Sequence, residues 1–145
     1  MGFKIYTCGK MSGLSYDEQM RWRLEIQNLI QERTSKSVTF IHPPLYFNYF
    51  DNNHKSEREI LEWEMAQICD CNIVLVDLTT IDDTIGSHME LGACNAINMF
   101  GGRHIFVVGI GKPQKPLHPW IDDTCIRIEE NAEAAAEFVC DYLLV

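Results

Sequence analysis

Positive charge is scarce in this chain. Its 145 residues hold 12 lysines and arginines against 21 aspartates and glutamates, a formal net charge of −9. A nucleic-acid groove needs a basic stripe that releases counterions, and the absence of one argues against nucleic acid as a partner. A small anion held at a helix terminus stays open, because global charge does not decide a local site. Long apolar runs are missing too. No stretch approaches the ~20 residues of a membrane span, so no membrane partner is expected. The opening residues MGFKIY enter a strand-like pattern at once. They lack the basic, apolar and cleavage regions of a signal peptide, and Tyr6 stands where a myristoylation signal has Ser or Thr.

Paired cysteines are likewise absent. Cys8, Cys69, Cys71, Cys94, Cys125 and Cys140 are scattered without a CxxC. With the histidines they form no zinc-ligand spacing, so no metal is expected. They read as reduced, buried thiols of a cytoplasmic protein. Neither a P-loop nor a GxGxxG fingerprint is present, and no cofactor is expected. The GxSxG elbow is missing as well, and adjacent Ser87 and His88 cannot easily face each other in a triad with Asp77.

What the chain does have is organised around residues 73–96, IVLVDLTTIDDTIGSHMELGACNA. A short β-branched apolar run reads as a strand buried on both faces. It ends in Asp77, and an acidic loop with Asp82 and Asp83 follows. A helix of small residues comes next, with Glu90 near its start. Ligands of open parallel sheets bind at the carboxyl ends of strands, beside helix N-termini, so chemistry is expected here.

Around this stretch the elements alternate. Residues 3–7 read as a strand, followed by the glycine-bearing loop from Cys8 to Leu14. A Ser15-x-x-Glu18 capping box opens a helix to about Arg33, with Met20, Leu24, Ile26, Leu29 and Ile30 on its apolar side. Residues 37–41 form a second strand that stops at Pro43-Pro44. Residues 45–55 carry Tyr46, Phe47, Tyr49 and Phe50 in neither period, as a loop packed by its own rings or as a pocket wall. A second capping box at Ser56 starts a helix on which Ile60, Glu64 and Ile68 share a face, and a carboxylate there is out of place. Residues 103–109 and 124–128 read as further strands around a Gly/Pro/Lys loop, and a last helix runs from Ala132 to about Leu144. Alternation at these lengths predicts one α/β domain over residues 1–145, with a parallel sheet of about five strands covered on both faces.

Two readings of Glu90 compete. Ser87-x-x-Glu90 is itself a capping box, in which the glutamate only satisfies a backbone N–H. Alternatively, a glutamate in the first helical turn is kept anionic by the helix dipole and is placed to attack an anomeric carbon. Glu64, Asp77 or Asp83 would then handle protons or orient the sugar. Cys8, at a strand end, is a weaker candidate as a thiol of lowered pKa.

The loop Cys8-Gly9-Lys10-Met11-Ser12-Gly13, the segment Val76-Asp77-Leu78 and the run Gly86-Ser87-His88-Met89-Glu90-Leu91-Gly92 with Ala96 together resemble the nucleoside 2-deoxyribosyltransferase family. That family includes the related 2'-deoxynucleoside 5'-monophosphate N-glycosidases, and the resemblance covers residues 4–109. It implies a flavodoxin-like doubly wound fold and a homodimer or higher homo-oligomer. It also implies cleavage of the N-glycosidic bond of a nucleoside or nucleotide by Glu90, through a covalent glycosyl-enzyme, with transfer to another base or to water. Glu64 matches the carboxylate that contacts the sugar, though the family usually has aspartate there. Gly9, Lys10, Ser12 and Gly13 match the loop against sugar or phosphate, and Tyr16 is a sugar neighbour. Cys8, Asp77, Gly86, Ser87 and Met89 fall in the motif segments that border the substrate.

The chain departs from the family in two places. The transferases' base-binding aspartate falls on Thr84, with Asp83 one step earlier, and Lys10 stands where the monophosphate glycosidases have serine. A non-catalytic nucleotide-binding module on the same fold is the alternative expectation. A dinucleotide glycohydrolase is a third, disfavoured by the acidic charge.

Overall fold

The computed structural model describes residues 2–47 and 54–145. Its sheet is built from β1 (Phe3–Cys8), β2 (Val38–Ile41), β3 (Ile73–Asp77), β4 (Phe106–Ile110) and β5 (Arg127–Glu129). The spatial order is β2-β1-β3-β4-β5, and every neighbouring pair is parallel. This is the flavodoxin-like doubly wound arrangement. The order reverses between β1 and β3, and a crevice opens at their carboxyl ends. Helices α1 (Tyr16–Arg33) and α5 (Ala132–Phe138) cover one face, while α2 (Glu57–Cys69), α3 (Ile85–Phe100) and α4 (Pro119–Thr124) cover the other.

The strand pleat divides the core between these layers. Ile5, Ile73, Leu75 and Val108 pack with Ile26 and Ile30 of α1 and with Ala135 and Ala136 of α5. Tyr6, Cys8, Val74, Val76 and Val107 turn the opposite way, against Ile68 of α2 and Leu91 and Cys94 of α3. Alternate residues of one buried strand thus serve two cores, which is why β3 reads as an unbroken apolar run.

The capping box expected at Ser56 forms in full, whereas at Ser15 only the serine half forms and its hydroxyl donates to the Glu18 carboxylate. Ser15 accepts from the Glu18 N–H at 3.2 Å, and Glu59 reaches back to the Ser56 N–H at 2.7 Å. The apolar side of α1 differs from expectation at one point. Leu24 is 45% exposed, whereas Gln19 and Arg23 are buried. Their polar ends reach the backbone of the first loop rather than water. The Gly/Pro/Lys segment also holds an unexpected element, the short helix α4. Pro119 opens it at N1, and the His118 side chain accepts the Trp120 N–H at 3.1 Å. Proline fits that position because the N–H it lacks would have had no helical partner. The last helix passes into a π-turn at Val139–Leu143.

Candidate functional site

Two short connections meet over the ends of β1 and β3. The first loop leaves β1 at Cys8 and turns at Gly13, whose φ of 77° suits glycine. Gln19 of α1 grips it by donating to the Met11 carbonyl at 3.0 Å and the Leu14 carbonyl at 2.9 Å. Arg23, one turn on, donates to the Gly9 carbonyl at 3.1 Å, to Thr7 Oγ1 at 3.1 Å and to the Gln19 carbonyl. Gly9 itself lies against Trp22, where an added Cβ would meet the indole at 2.8 Å. The second connection is a 3-10 turn, Leu78–Asp83, that runs directly into α3. Lys10 of the first loop forms an ion pair with Asp83 of the second.

Between them lies a cavity of about 490 Å³. Of the residues the sequence singles out, Gly9, Ser12, Glu64, Asp83, Gly86, Ser87 and Glu90 line it. Glu64 therefore has a use: the face it shares with Ile60 and Ile68 runs from the core out to the cavity, with Ile68 buried and Ile60 on the cavity wall. Phe47 and His54 form the outer wall, and Phe47 sits edge-on to Trp63 with ring centroids 5.0 Å apart. The aromatic segment is thus both packed on the body and part of a pocket, as far as Tyr46 and Phe47 show. Tyr49 and Phe50 lie outside the described residues.

The other candidates do not reach the cavity wall. Asp77 accepts from the Thr79 N–H at 3.0 Å and the Thr79 hydroxyl at 2.7 Å, so it caps the 3-10 turn. Cys8 is buried beneath the site, its thiol 3.9 Å from the Ser87 carbonyl. Burial, and then the neighbouring Glu90, push that thiol well above its ordinary pKa, which removes the expected reactive thiolate. Lys10 is spent on Asp83, Gly13 shapes the turn, Tyr16 begins α1, and Met89 faces outward at 50% exposure.

Glu90 corrects both sequence-based expectations. The Ser-x-x-Glu spacing predicts a helix capped by Ser87. Instead the cap is Thr84, whose hydroxyl accepts the Ser87 N–H at 3.4 Å. The helix starts earlier, and Glu90 is its sixth residue, beyond the first turn. It therefore caps nothing, and the helix dipole has little hold on it. Its residue is only 6% exposed, and its Oε2 lies on a sealed surface with no hydrogen-bond partner among the described residues. The Tyr6 phenol is close by and equally unpartnered.

Desolvation, and then the nearby Glu64, raise the Glu90 pKa to about 8, against weaker lowering by Tyr6, Arg23 and Cys8. Glu64 is itself pushed up to about 7 by burial, opposed by the Arg23 charge. The dipole argument predicted a lowered value, and the two large causes run the other way.

Arg23 and its partners are the main feature missed from the sequence. The guanidinium is fully buried and sits at the end of a chain with fixed polarity. Arg23 donates to Thr7 Oγ1, the Thr7 hydroxyl donates to His42 Nδ1 at 2.8 Å, and His42 Nε2 donates to Gln27 Oε1 at 2.6 Å. Burial and then the Arg23 charge lower the His42 pKa to about 4, so the ring is neutral and this tautomer fits. The spacing 19, 23, 26, 30 held the signal, since it places two polar residues on the buried stripe of α1.

No protein-family model matches the chain, and no curated protein matches it in sequence. Solved structures do. A 2-deoxyribosyltransferase from Bacillus psychrosaccharolyticus superposes with a TM-score of 0.68 at 16% identity, covering 92% of this chain and 90% of that one. A conserved protein from Enterococcus faecalis V583 superposes with a TM-score of 0.71 at 12% identity, covering 94% and 96%. At these identities the likeness is one of fold.

The buried Glu90 carboxylate carries a stability cost whose sign follows from its raised pKa. The folded state binds a proton that the unfolded chain has already released, so stability falls as pH rises from the ordinary carboxylate range through about 8. Glu90→Gln removes that penalty. The variant should gain about 1–3 kcal/mol at alkaline pH and little in acid, read by denaturant unfolding at both. A variant equally or less stable than wild type at alkaline pH contradicts a buried, unpartnered carboxylate.

Proposed function

We propose that this chain cleaves the N-glycosidic bond of a nucleoside or its 5'-monophosphate, with Glu90 as nucleophile. The observation that carries the reading is Glu90 itself, a nearly buried carboxyl that lines the cavity over the strand ends and has one oxygen without a hydrogen-bond partner among the described residues. A structural carboxylate this buried would have donors, because leaving it bare is costly. The shared fold with a 2-deoxyribosyltransferase over nine-tenths of both chains supports the same assignment.

In the proposed reaction an ionised Glu90 oxygen bonds to the anomeric carbon as the bond to the base nitrogen breaks. The base leaves with the electron pair and takes a proton. Asp83 is engaged by Lys10, so the proton donor is Glu64, whose raised pKa leaves it partly protonated near neutrality. A second base or a water then attacks the anomeric carbon from the opened face and frees Glu90, with Glu64 accepting the proton. Ser12, Gly9 and Ser87 on the wall supply polar contacts to the sugar.

Incubation with deoxynucleosides and their monophosphates, with and without a second free base, tests this. New nucleoside marks transfer, and free base with free sugar marks hydrolysis. Glu90→Gln should abolish either. Because Glu90 must be ionised to attack while Glu64 must hold its proton, the wild-type rate should peak between about pH 7 and 8 and fall on both sides. Glu64→Gln should lower the maximum and move that acid limb to lower pH, since it removes the carboxyl that raises Glu90. A folded protein that releases no base, or an acid limb that Glu64→Gln leaves in place, refutes the assignment.

We also propose that two copies associate through α3. Ile85, Met89, Gly92, Ala96 and Met99 recur at helical spacing on its outer face, and all are exposed. The only charged residue of α3, Glu90, points inward. An uncharged, largely apolar strip on a chain of net charge −9 is the natural place for self-association. Light scattering should give a dimer or larger, and Met89→Glu with Met99→Glu should give a monomer. A monomeric wild type at high concentration contradicts this.

A further inference from the structure

One charge has no part in the glycosidic chemistry as proposed. Arg23 is fully buried on α1, and among the described residues no carboxylate stands within ion-pair distance of it. Burying a cation is costly unless a partner or a use offsets the lost hydration. Holding the first loop does not require that charge. Gln19, one turn earlier on the same helix, holds the Met11 and Leu14 carbonyls with a neutral amide.

The surroundings fix the guanidinium and leave it unneutralised. It donates through Nε to Thr7 Oγ1 and through its two ends to the Gln19 and Gly9 carbonyls, and all three acceptors are uncharged. Thr7 offers a lone pair because its own hydrogen goes to Nδ1 of the neutral His42, whose Nε2 hydrogen goes to Gln27. The Trp22 ring lies 4.9 Å from the guanidinium carbon and also bears on Gly9, so this cavity-wall residue is clamped on two sides. Of the carboxylates whose field reaches Arg23, Asp77 is turned onto Thr79, whereas Glu90 lies in the cavity wall.

Resting on the glycosidic reading, we propose that Arg23 is a positioning residue for that chemistry, with two separable parts. Its planar fork sets the Gly9 wall of the cavity, and its charge is the counter-ion of a single negative charge held between Glu64 and Glu90. The assigned reaction needs one of these carboxyls ionised and the other protonated. Burial and then Glu64 raise the pKa of Glu90, against Tyr6 and then Arg23, and burial raises that of Glu64, against Arg23. Arg23 is the cation common to both. Tyr6 and Cys8 of β1, Glu57 of α2 and Cys94 of α3 face the pair from the protein side. His54, Asp82 and the Lys10-paired Asp83 face it across the cavity. Changing Arg23 alone leaves all of these in place, so a moved pH optimum reports its charge.

Two variants of the full chain separate the parts, with base release from deoxynucleosides followed across pH. Arg23→Lys keeps the charge and loses the fork, so kcat/KM should fall about tenfold or more while the optimum stays where it is. Arg23→Gln keeps part of the grip and loses the charge. A lost cation raises the proton affinity of both carboxyls, so the optimum should move to higher pH by about half a unit or more. Should Arg23→Gln not fold, citrulline at position 23, neutral and close in shape, reads the same shift. Carboxyl 13C titration of Glu64 and Glu90 reads the charge apart from the rate. Both midpoints should rise in the neutral variant and stay in Arg23→Lys. An optimum and midpoints that the neutral variant leaves in place, or an Arg23→Lys protein with wild-type kcat/KM, would overturn the assignment and leave the glycosidic reading standing. A folded wild type that releases no base from any deoxynucleoside sinks that reading itself, and this assignment with it.

Discussion

The site depends on a buried carboxyl that has no ion-pair partner among the described residues. Glu90 is enclosed by β1, β3 and α3, beside Glu64 and the Tyr6 phenol, and its Oε2 has no donor. Desolvation alone would protonate it permanently. The Tyr6 phenol and then the Arg23 charge oppose that at Glu90, and the Arg23 charge opposes it at Glu64. Arg23 touches neither glutamate at ion-pair distance, because its hydrogens go to Thr7, Gly9 and Gln19. A direct ion pair would have held the Glu90 carboxylate in place and lowered its pKa further. The balance of burial against these neighbours leaves Glu64 at about 7 and Glu90 at about 8.

Arg23 also couples chemistry to fold. By gripping the Gly9 carbonyl, Arg23 fixes the loop that forms one cavity wall, and Gln19 fixes the rest of that loop. The neutral His42 and Gln27 complete the chain without adding a second buried charge. The crevice position follows from topology, since strand order reverses between β1 and β3. What occupies the crevice is set by side chains the fold does not dictate.

Much of this was legible in the sequence where local rules and tertiary packing agree. The first four strands and the long helices sit close to where apolar runs and capping boxes place them, because each pattern also satisfies the layers, whereas the strand expected at 124–128 starts only at Arg127 because Thr124 ends α4. Glu64 stood out because a carboxylate on a buried stripe has to be explained. Glu90 was located but misread. Thr84 and Ser87 can both cap a helix, and sequence spacing does not say which hydroxyl wins, so the first-turn dipole argument rested on the wrong start. Asp77 was drawn away by Thr79 and Thr80, neighbours whose hydrogen bonds are local and strong enough to hold it. Arg23 was hidden by counting Leu24 as the apolar residue of its turn. Pro119 was read as a loop residue although it equally opens α4.

The direct measurement of the central claim is intact-protein and peptide mass spectrometry after rapid acid quench during turnover. The account predicts a single added deoxyribosyl group, carried on the peptide that contains Glu90 and absent in Glu90→Ala. Base release with no adduct at any time, or an adduct on a different residue, would contradict it.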